Sequence, residues 1–112
     1  MATVMLMEWQ GVEPRQYDDV MRNLRLDEEP PANAYFHVCG FDNGTLRVLD
    51  IWETQGDFER FQESRLMSAI QQAGLEGQPN VRYYDVHNIY VPDSGALERL
   101  GAGTSMPAAV HA

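Results

Sequence analysis

The dipeptide Asn43-Gly44 constrains this chain more than any other feature. It stands between two runs rich in β-branched, apolar and aromatic side chains, residues 34–41 and 45–53. Asn-Gly is the preferred pair for a two-residue hairpin loop because both central positions require positive φ. With those two residues as the loop, Asp42 opposes Thr45 and the remaining pairing follows. Phe41 faces Leu46, Cys39 faces Val48, His37 faces Asp50 and Tyr35 faces Trp52. Directly opposed residues point to the same side of a sheet, so all of these share one face. Phe36, Val38, Leu49 and Ile51 lie on the other. A slip of one residue would exchange the two faces.

The elements around the hairpin follow from periodicity and punctuation. Residues 3–9 read as a strand. Pro14 suits the first turn of a helix, and Tyr17, Val20, Met21 and Leu24 fall at i, i+3, i+4 and i+7, one apolar stripe. Residues 27–33, with Pro30 and Pro31 among them, end that helix. Thr54 with Asp57 forms a capping box that uses Asp where Glu or Gln is usual. The helix it opens turns Phe58, Phe61, Arg65, Leu66, Ala69, Ile70 and Ala73 inward, and Gly74 suits its end. A last strand is expected over 81–91. The order β-α-β-β-α-β predicts a ferredoxin-like α+β domain with an antiparallel sheet over residues 1–92. Residues 93–112 are then an extension of mostly small residues, with one helical turn at 96–100, that wraps a partner or stays mobile.

Size and charge narrow the partners. A domain of 112 residues buries roughly 65% of the surface its unfolded chain exposes. Two helices cover one sheet face, and an apolar second face would be a sticky patch unless another copy covered it, so a homodimer is expected. The net charge of −9 argues against nucleic acid and against anionic membrane surfaces. All eight basic residues are arginine, which excludes Schiff-base lysines, a pyridoxal-phosphate lysine and a P-loop lysine. Cys39 is the single cysteine and has no partner for an internal disulfide, in keeping with a reducing compartment. Neither a leader nor an apolar run of membrane length is visible, so a cytoplasmic location is expected.

The hairpin face carries the candidate chemistry. A carboxylate opposite an imidazole can fix its tautomer and leave the far nitrogen free as a base, which points to His37 and Asp50. Tyr35 and Trp52 offer stacking surface beside them, and Cys39 lies on the other side. A cross-strand His-Asp pair also occurs as a satisfied polar pair near a sheet edge, and a lone cysteine in a strand also serves as a small buried hydrophobe. On the last strand Tyr83, Asp85, His87 and Ile89 share one side, which adds His87 as a candidate ligand contact. The sequence leaves open which side of that strand faces the helices. His37, His87 and Asp50 could make a two-His, one-carboxylate metal site only if two strands at opposite sheet edges converged. No metal and no cofactor is expected.

The run Val48-Leu49-Asp50-Ile51-Trp52-Glu53-Thr54, leading straight into a helix with Phe58 and Phe61, resembles the antibiotic-biosynthesis-monooxygenase-like branch of the dimeric α/β-barrel superfamily. The resemblance extends over residues 3–91 in element order. It implies dimers in which two ferredoxin-like sheets pack into a barrel, each subunit keeping a cleft between sheet and helices. In that family the tryptophan before the second helix commonly lines the cleft, here Trp52; the hairpin pairing would bring His37, Tyr35 and Asp50 there too. Members include oxygenases of polyketide quinone formation that use no metal or flavin, haem-degrading enzymes and isomerases. The haem-degrading members share an asparagine on strand one and a histidine on helix two. This chain has neither, so haem chemistry is disfavoured.

The resulting expectation is an enzyme acting on a hydrophobic aromatic or polyketide-like molecule, a cofactor-independent monooxygenase whose base is His37 oriented by Asp50. The alternatives are a polyketide cyclase or isomerase on the same fold, or a dimer that binds a small ligand without turning it over.

Overall fold

The computed structural model describes residues 1–101. The strands are β1 (Thr3–Gln10), β2 (Ala34–Asp42), β3 (Thr45–Trp52) and β4 (Asn80–Asp85). They form one antiparallel sheet in the order β2-β3-β1-β4, the ferredoxin-like arrangement. The hairpin loop is as expected: Asn43 and Gly44 both have positive φ, 52° and 78°, and Asp42 pairs with Thr45. From there the expected register holds as far as His37 opposite Asp50.

Beyond that pair the register departs from expectation. Ala34, not Tyr35, faces Trp52, and the ladder shifts between Ala34 and Phe36. Tyr35 is the extra residue of a β-bulge, which leaves it unpaired and bends the strand locally. The anchor for this irregularity lies just upstream. Asn33 adopts a left-handed conformation, its carbonyl accepts the Glu53 N–H at 2.9 Å, and its side-chain amide donates to Asp57 at 3.1 Å.

Helix α1 (Pro14–Leu24) buries Val20, Met21 and Leu24 from the apolar stripe and stops at Arg25, which has φ 53°. Thr54 caps α2 (Gln55–Phe61): Thr54 Oγ1 accepts the Asp57 N–H at 3.1 Å, while Asp57 Oδ2 accepts the Thr54 N–H at 3.1 Å. One π-helical turn (Gln62–Leu66) then leads into α3 (Met67–Ala73), and the backbone stays right-handed helical across both junctions. A π turn inserts one residue into the helical repeat. Within it Arg65 turns towards α1 and donates to the Leu24 and Glu29 carbonyls at 2.6 and 2.7 Å. The bond to Leu24 satisfies a carbonyl that the end of α1 leaves orphaned, and the bond to Glu29 ties the following loop to the same side chain.

The last strand ends at Asp85 rather than 91, because β4 is an edge strand whose one neighbour among the described residues, β1, ends its pairing at Thr3 opposite Asp85. One further bond, from the Val86 N–H to the Ala2 carbonyl at 2.9 Å, finishes the contact. The expected helical turn is a fuller helix, α4 (Ser94–Gly101), whose Ala96 N–H is accepted by the Asp93 side chain at 3.0 Å. The part of the extension beyond residue 101 lies outside the described residues.

The sheet has two unlike faces. The face towards the helices carries Met5, Met7, Trp9, Leu46, Val48 and Trp52, which with Phe58 and Val12 form the main core. Val20, Met21, Leu24 and Ala69 make a second cluster between α1 and α3. The opposite face carries the rows Phe36-Ile51-Val4-Tyr84 and Val38-Leu49-Leu6-Arg82, and the helices leave it open. Val38 there is 47% exposed.

Candidate functional site

A cavity of about 240 Å³ lies between the helix-facing side of the sheet and the helices. Its walls are almost wholly apolar: Met5, Met7 and Val48 from the sheet, Val20 and Met21 from α1, Phe58 and Phe61 from α2, Leu66 and Ile70 beyond. Ionisable groups reach it in one place. Tyr17, His37 and Asp50 line it together, with Trp52 beside them.

The corner is built from three elements and one chain of hydrogen bonds. Asp50 projects from β3 with its carboxylate buried, 6% exposed. Its Oδ1 accepts from His37 Nδ1 on β2 at 2.7 Å, and its Oδ2 accepts from Trp52 Nε1 at 3.0 Å. Both carboxylate oxygens are therefore held, as a buried charge requires. His37 Nε2 lies 2.5 Å from the Tyr17 hydroxyl of α1. The Tyr17 and His37 rings are parallel within 7°, with centroids 6.0 Å apart, and Phe41 meets Tyr17 edge-on at 6.3 Å.

The electrostatics follow from that geometry. Partial desolvation by itself would lower the proton affinity of His37. The hydrogen bonds with Asp50 and Cys39, together with the Asp50 charge, outweigh it and raise the imidazole to about 9. The pair with Asp50 thus favours the imidazolium over the neutral ring. Burial, then the neighbouring Cys39 and the charges of Asp50 and Asp18, push the Tyr17 phenol above its ordinary value.

The structure brings together some of the residues singled out in the sequence and separates others. His37, Asp50 and Trp52 converge on the cavity. Trp52 packs against Phe58 and Phe61 at 5.6 and 5.5 Å between ring centroids. Tyr35 does not join them: the bulge swings it out, 56% exposed, where its hydroxyl donates to Glu53 at 2.6 Å. Cys39 does not line the cavity; it is partly buried and packs on the main core beside Tyr17 and His37. His87 lies beyond the end of β4, exposed and away from the cavity. The far nitrogen of His37 is not free either, because Tyr17 occupies it. Tyr17, expected from its place on the α1 stripe only to pack, joins the site. Its signal was a phenol on an inward stripe otherwise made of Val20, Met21 and Leu24.

Among the described residues no group of three His, Cys, Asp or Glu side chains is placed to hold a metal ion. None of their helices is long and apolar enough to cross a membrane.

No protein-family model matches the sequence, and no curated protein matches it. Solved structures do resemble the fold. A protein of unknown function from Nitrosomonas europaea superposes with a TM-score of 0.60 at 16% identity, over 83% of this chain and 97% of that one. The monooxygenase from the gene ActVA-Orf6 of Streptomyces coelicolor, in complex with the ligand Nanaomycin D, gives 0.55 at 13% identity, over 82% and 93%. A Caulobacter crescentus protein assigned as an antibiotic biosynthesis monooxygenase gives 0.52 at 13% identity, over 78% and 91%. The chain thus has the α+β, ferredoxin-like fold of antibiotic-biosynthesis-monooxygenase structures and of related proteins of unknown function. At these identities the likeness is one of fold, and function has to be argued from the site.

Proposed function

We propose that this protein is a small-molecule enzyme whose cavity takes a hydrophobic aromatic substrate, and that it acts as a cofactor-independent monooxygenase with the His37-Asp50 pair as proton acceptor. The observation that carries this is the polarity of the cavity: apolar walls with all the ionisable groups that reach them in one corner. Such a site holds a ring system by burial and presents its one polar substituent to Tyr17, His37 and Asp50. An engineered cavity of about 150 Å³ holds benzene, so about 240 Å³ suits a core of two fused rings. Trp52 would form part of the wall against which those rings pack.

The chemistry follows from removing one proton. Deprotonating a hydroxylated ring ketone or phenol gives an electron-rich carbanion that can itself reduce dioxygen. A ring CH₂ then becomes C=O, with one oxygen atom entering the substrate and the other leaving as water. His37 accepts the proton only in its neutral form, whose share grows as pH rises towards 9; Asp50 orients the imidazole and stabilises the cation that results. The open apolar face of the sheet is proposed to pack against the same face of a second copy, giving a homodimer with one cavity per subunit.

The test is oxygen uptake by metal-stripped protein against a series graded from naphthols to anthrones, with His37→Gln alongside. Uptake that depends on protein and falls by about 10²–10⁴ in the variant supports the proposal. Tight binding across the series without turnover would instead favour a cyclase, an isomerase or a ligand-binding dimer.

A further inference from the structure

We propose that the Tyr17 hydroxyl is the group that meets the ionisable oxygen of the bound substrate and passes its proton on to His37. This rests on the reading of the cavity as a site of proton removal, and adds the residue that touches the substrate. Both nitrogens of His37 are already engaged, Nδ1 by Asp50 at 2.7 Å and Nε2 by Tyr17 at 2.5 Å. A substrate hydroxyl could reach the imidazole only by displacing Tyr17. It need not. A phenol oxygen offers one donor and two acceptor positions, so the bond with His37 leaves capacity on the cavity side, where Tyr17 forms part of the wall. The parallel His37 ring and the edge of Phe41 hold the phenol in place. The ionisable groups acting on it, Cys39 on β2, Asp50 on β3 and Asp18 on α1, come from different elements.

The step balances as two proton transfers with no change of oxidation state. The substrate O–H breaks as a new O–H forms on Tyr17. With His37 in its neutral, Nδ1-protonated form, the original Tyr17 O–H breaks as an N–H forms at His37 Nε2. The substrate is left as an anion, His37 becomes an imidazolium, and His37 Nδ1–H goes on donating to Asp50. Tyr17 begins and ends the step as a neutral phenol, which suits a group whose own ionisation burial opposes. With His37 in that neutral form the chain Asp50-His37-Tyr17 is assembled before substrate arrives, so it needs no rearrangement on binding.

The probe is 4-nitrophenol, a single-ring phenol whose anion absorbs in the visible. Its affinity and its ionisation when bound would be measured for the full chain and for Tyr17→Phe, His37→Gln and the double variant. The expected result is that each single variant still binds the phenol but weakens its ionisation by about ten- to a hundredfold, as for loss of a hydrogen bond to a charged group. The double variant should lose no more than either single one, because the two residues act in one chain. Ionisation unchanged in Tyr17→Phe but lost in His37→Gln would overturn the role of Tyr17 and leave His37 as a base in direct contact. Ionisation unchanged in both would overturn the base assignment together with this inference. No binding by the unaltered protein would overturn the reading of the cavity itself. Phenylalanine keeps the buried ring, and circular dichroism of each variant separates loss of the hydroxyl from loss of fold.

Discussion

Trp52 donates its indole N–H to Asp50 from two positions along the same strand, at 3.0 Å, and so occupies the carboxylate oxygen that His37 leaves open. Residues two apart on a strand point to the same side, which makes the contact a product of β3 alone. Replacing Trp52 by Phe keeps an aromatic ring beside Phe58 and Phe61 but strands that oxygen in the core. The expected cost is about 1–3 kcal/mol of unfolding free energy. Urea unfolding at a fixed protein concentration would measure it, and a loss well below this range would show that water or another donor takes the place of the indole.

His37 supplies a pH-dependent contribution whose sign is set by its partner. Its folded value of about 9 lies above the unfolded 6.5. The stabilisation is complete below about pH 6.5 and fades as pH rises through about 9. Asp50→Asn should weaken that slope and lower the imidazole, since Cys39 alone then offsets desolvation. An NMR titration of the ring protons reads this directly. A His37 value still near 9 in the variant would mean that Asp50 is not what holds the charge.

Asp57 contributes with the opposite sign. Hydrogen bonds from Thr54 and Asn33, aided by Arg60, hold its carboxyl down to about 2, against 3.8 unfolded. Its contribution is present above about pH 4 and lost as pH falls towards 2. Asp57→Asn should therefore flatten the melting temperature across that window relative to the parent protein. Equal slopes in the two proteins would place the acid sensitivity elsewhere.

Tyr35 separates the bulged register from the regular one. With its ring in solvent and its hydroxyl on Glu53, Tyr35→Phe should leave phenol affinity and oxygen uptake within about twofold of the parent, as for surface substitutions away from a site. A larger loss of affinity would return Tyr35 to the cavity and put the bulge in question.

The open sheet face gives the fifth prediction. Val38→Asp places a charge among Phe36, Leu49 and Leu6 on that face, where an isologous interface would bury two copies of it. Sedimentation equilibrium should show a dimer for the parent protein and a monomer for the variant. A monomeric parent would refute the proposed assembly.

The pairing of His37 with Asp50 was legible in the sequence because it depends only on a local device. Asn43 and Gly44 fix the loop, and alternation carries the register back six residues to His37 and forward to Asp50. The capping of α2 by Thr54 and Asp57 and the inward stripe of α1 were legible for the same reason: their partners lie within a few residues. The place where this local logic failed is equally specific. The Tyr35 bulge is anchored by Asn33, whose left-handed backbone and amide are held by Glu53 and Asp57, some twenty positions away. No pattern within β2 records that demand.

The end of β4 and the partner of Tyr17 belong to the same class. β4 stops where its pairing with β1 stops, opposite Thr3, a fact about a strand some eighty residues earlier. The stripe of α1 announces that Tyr17 points inward, but a helix can be rotated and shifted over a sheet without altering its own periodicity. Only the packing of α1 across the helix-facing side of the sheet brings that hydroxyl to 2.5 Å from His37 Nε2. Hydrogen-bonded turns and alternation act between neighbours in the chain and so are written in it. The bulge, the strand end and the Tyr17-His37 contact depend on where separate elements come to rest against one another.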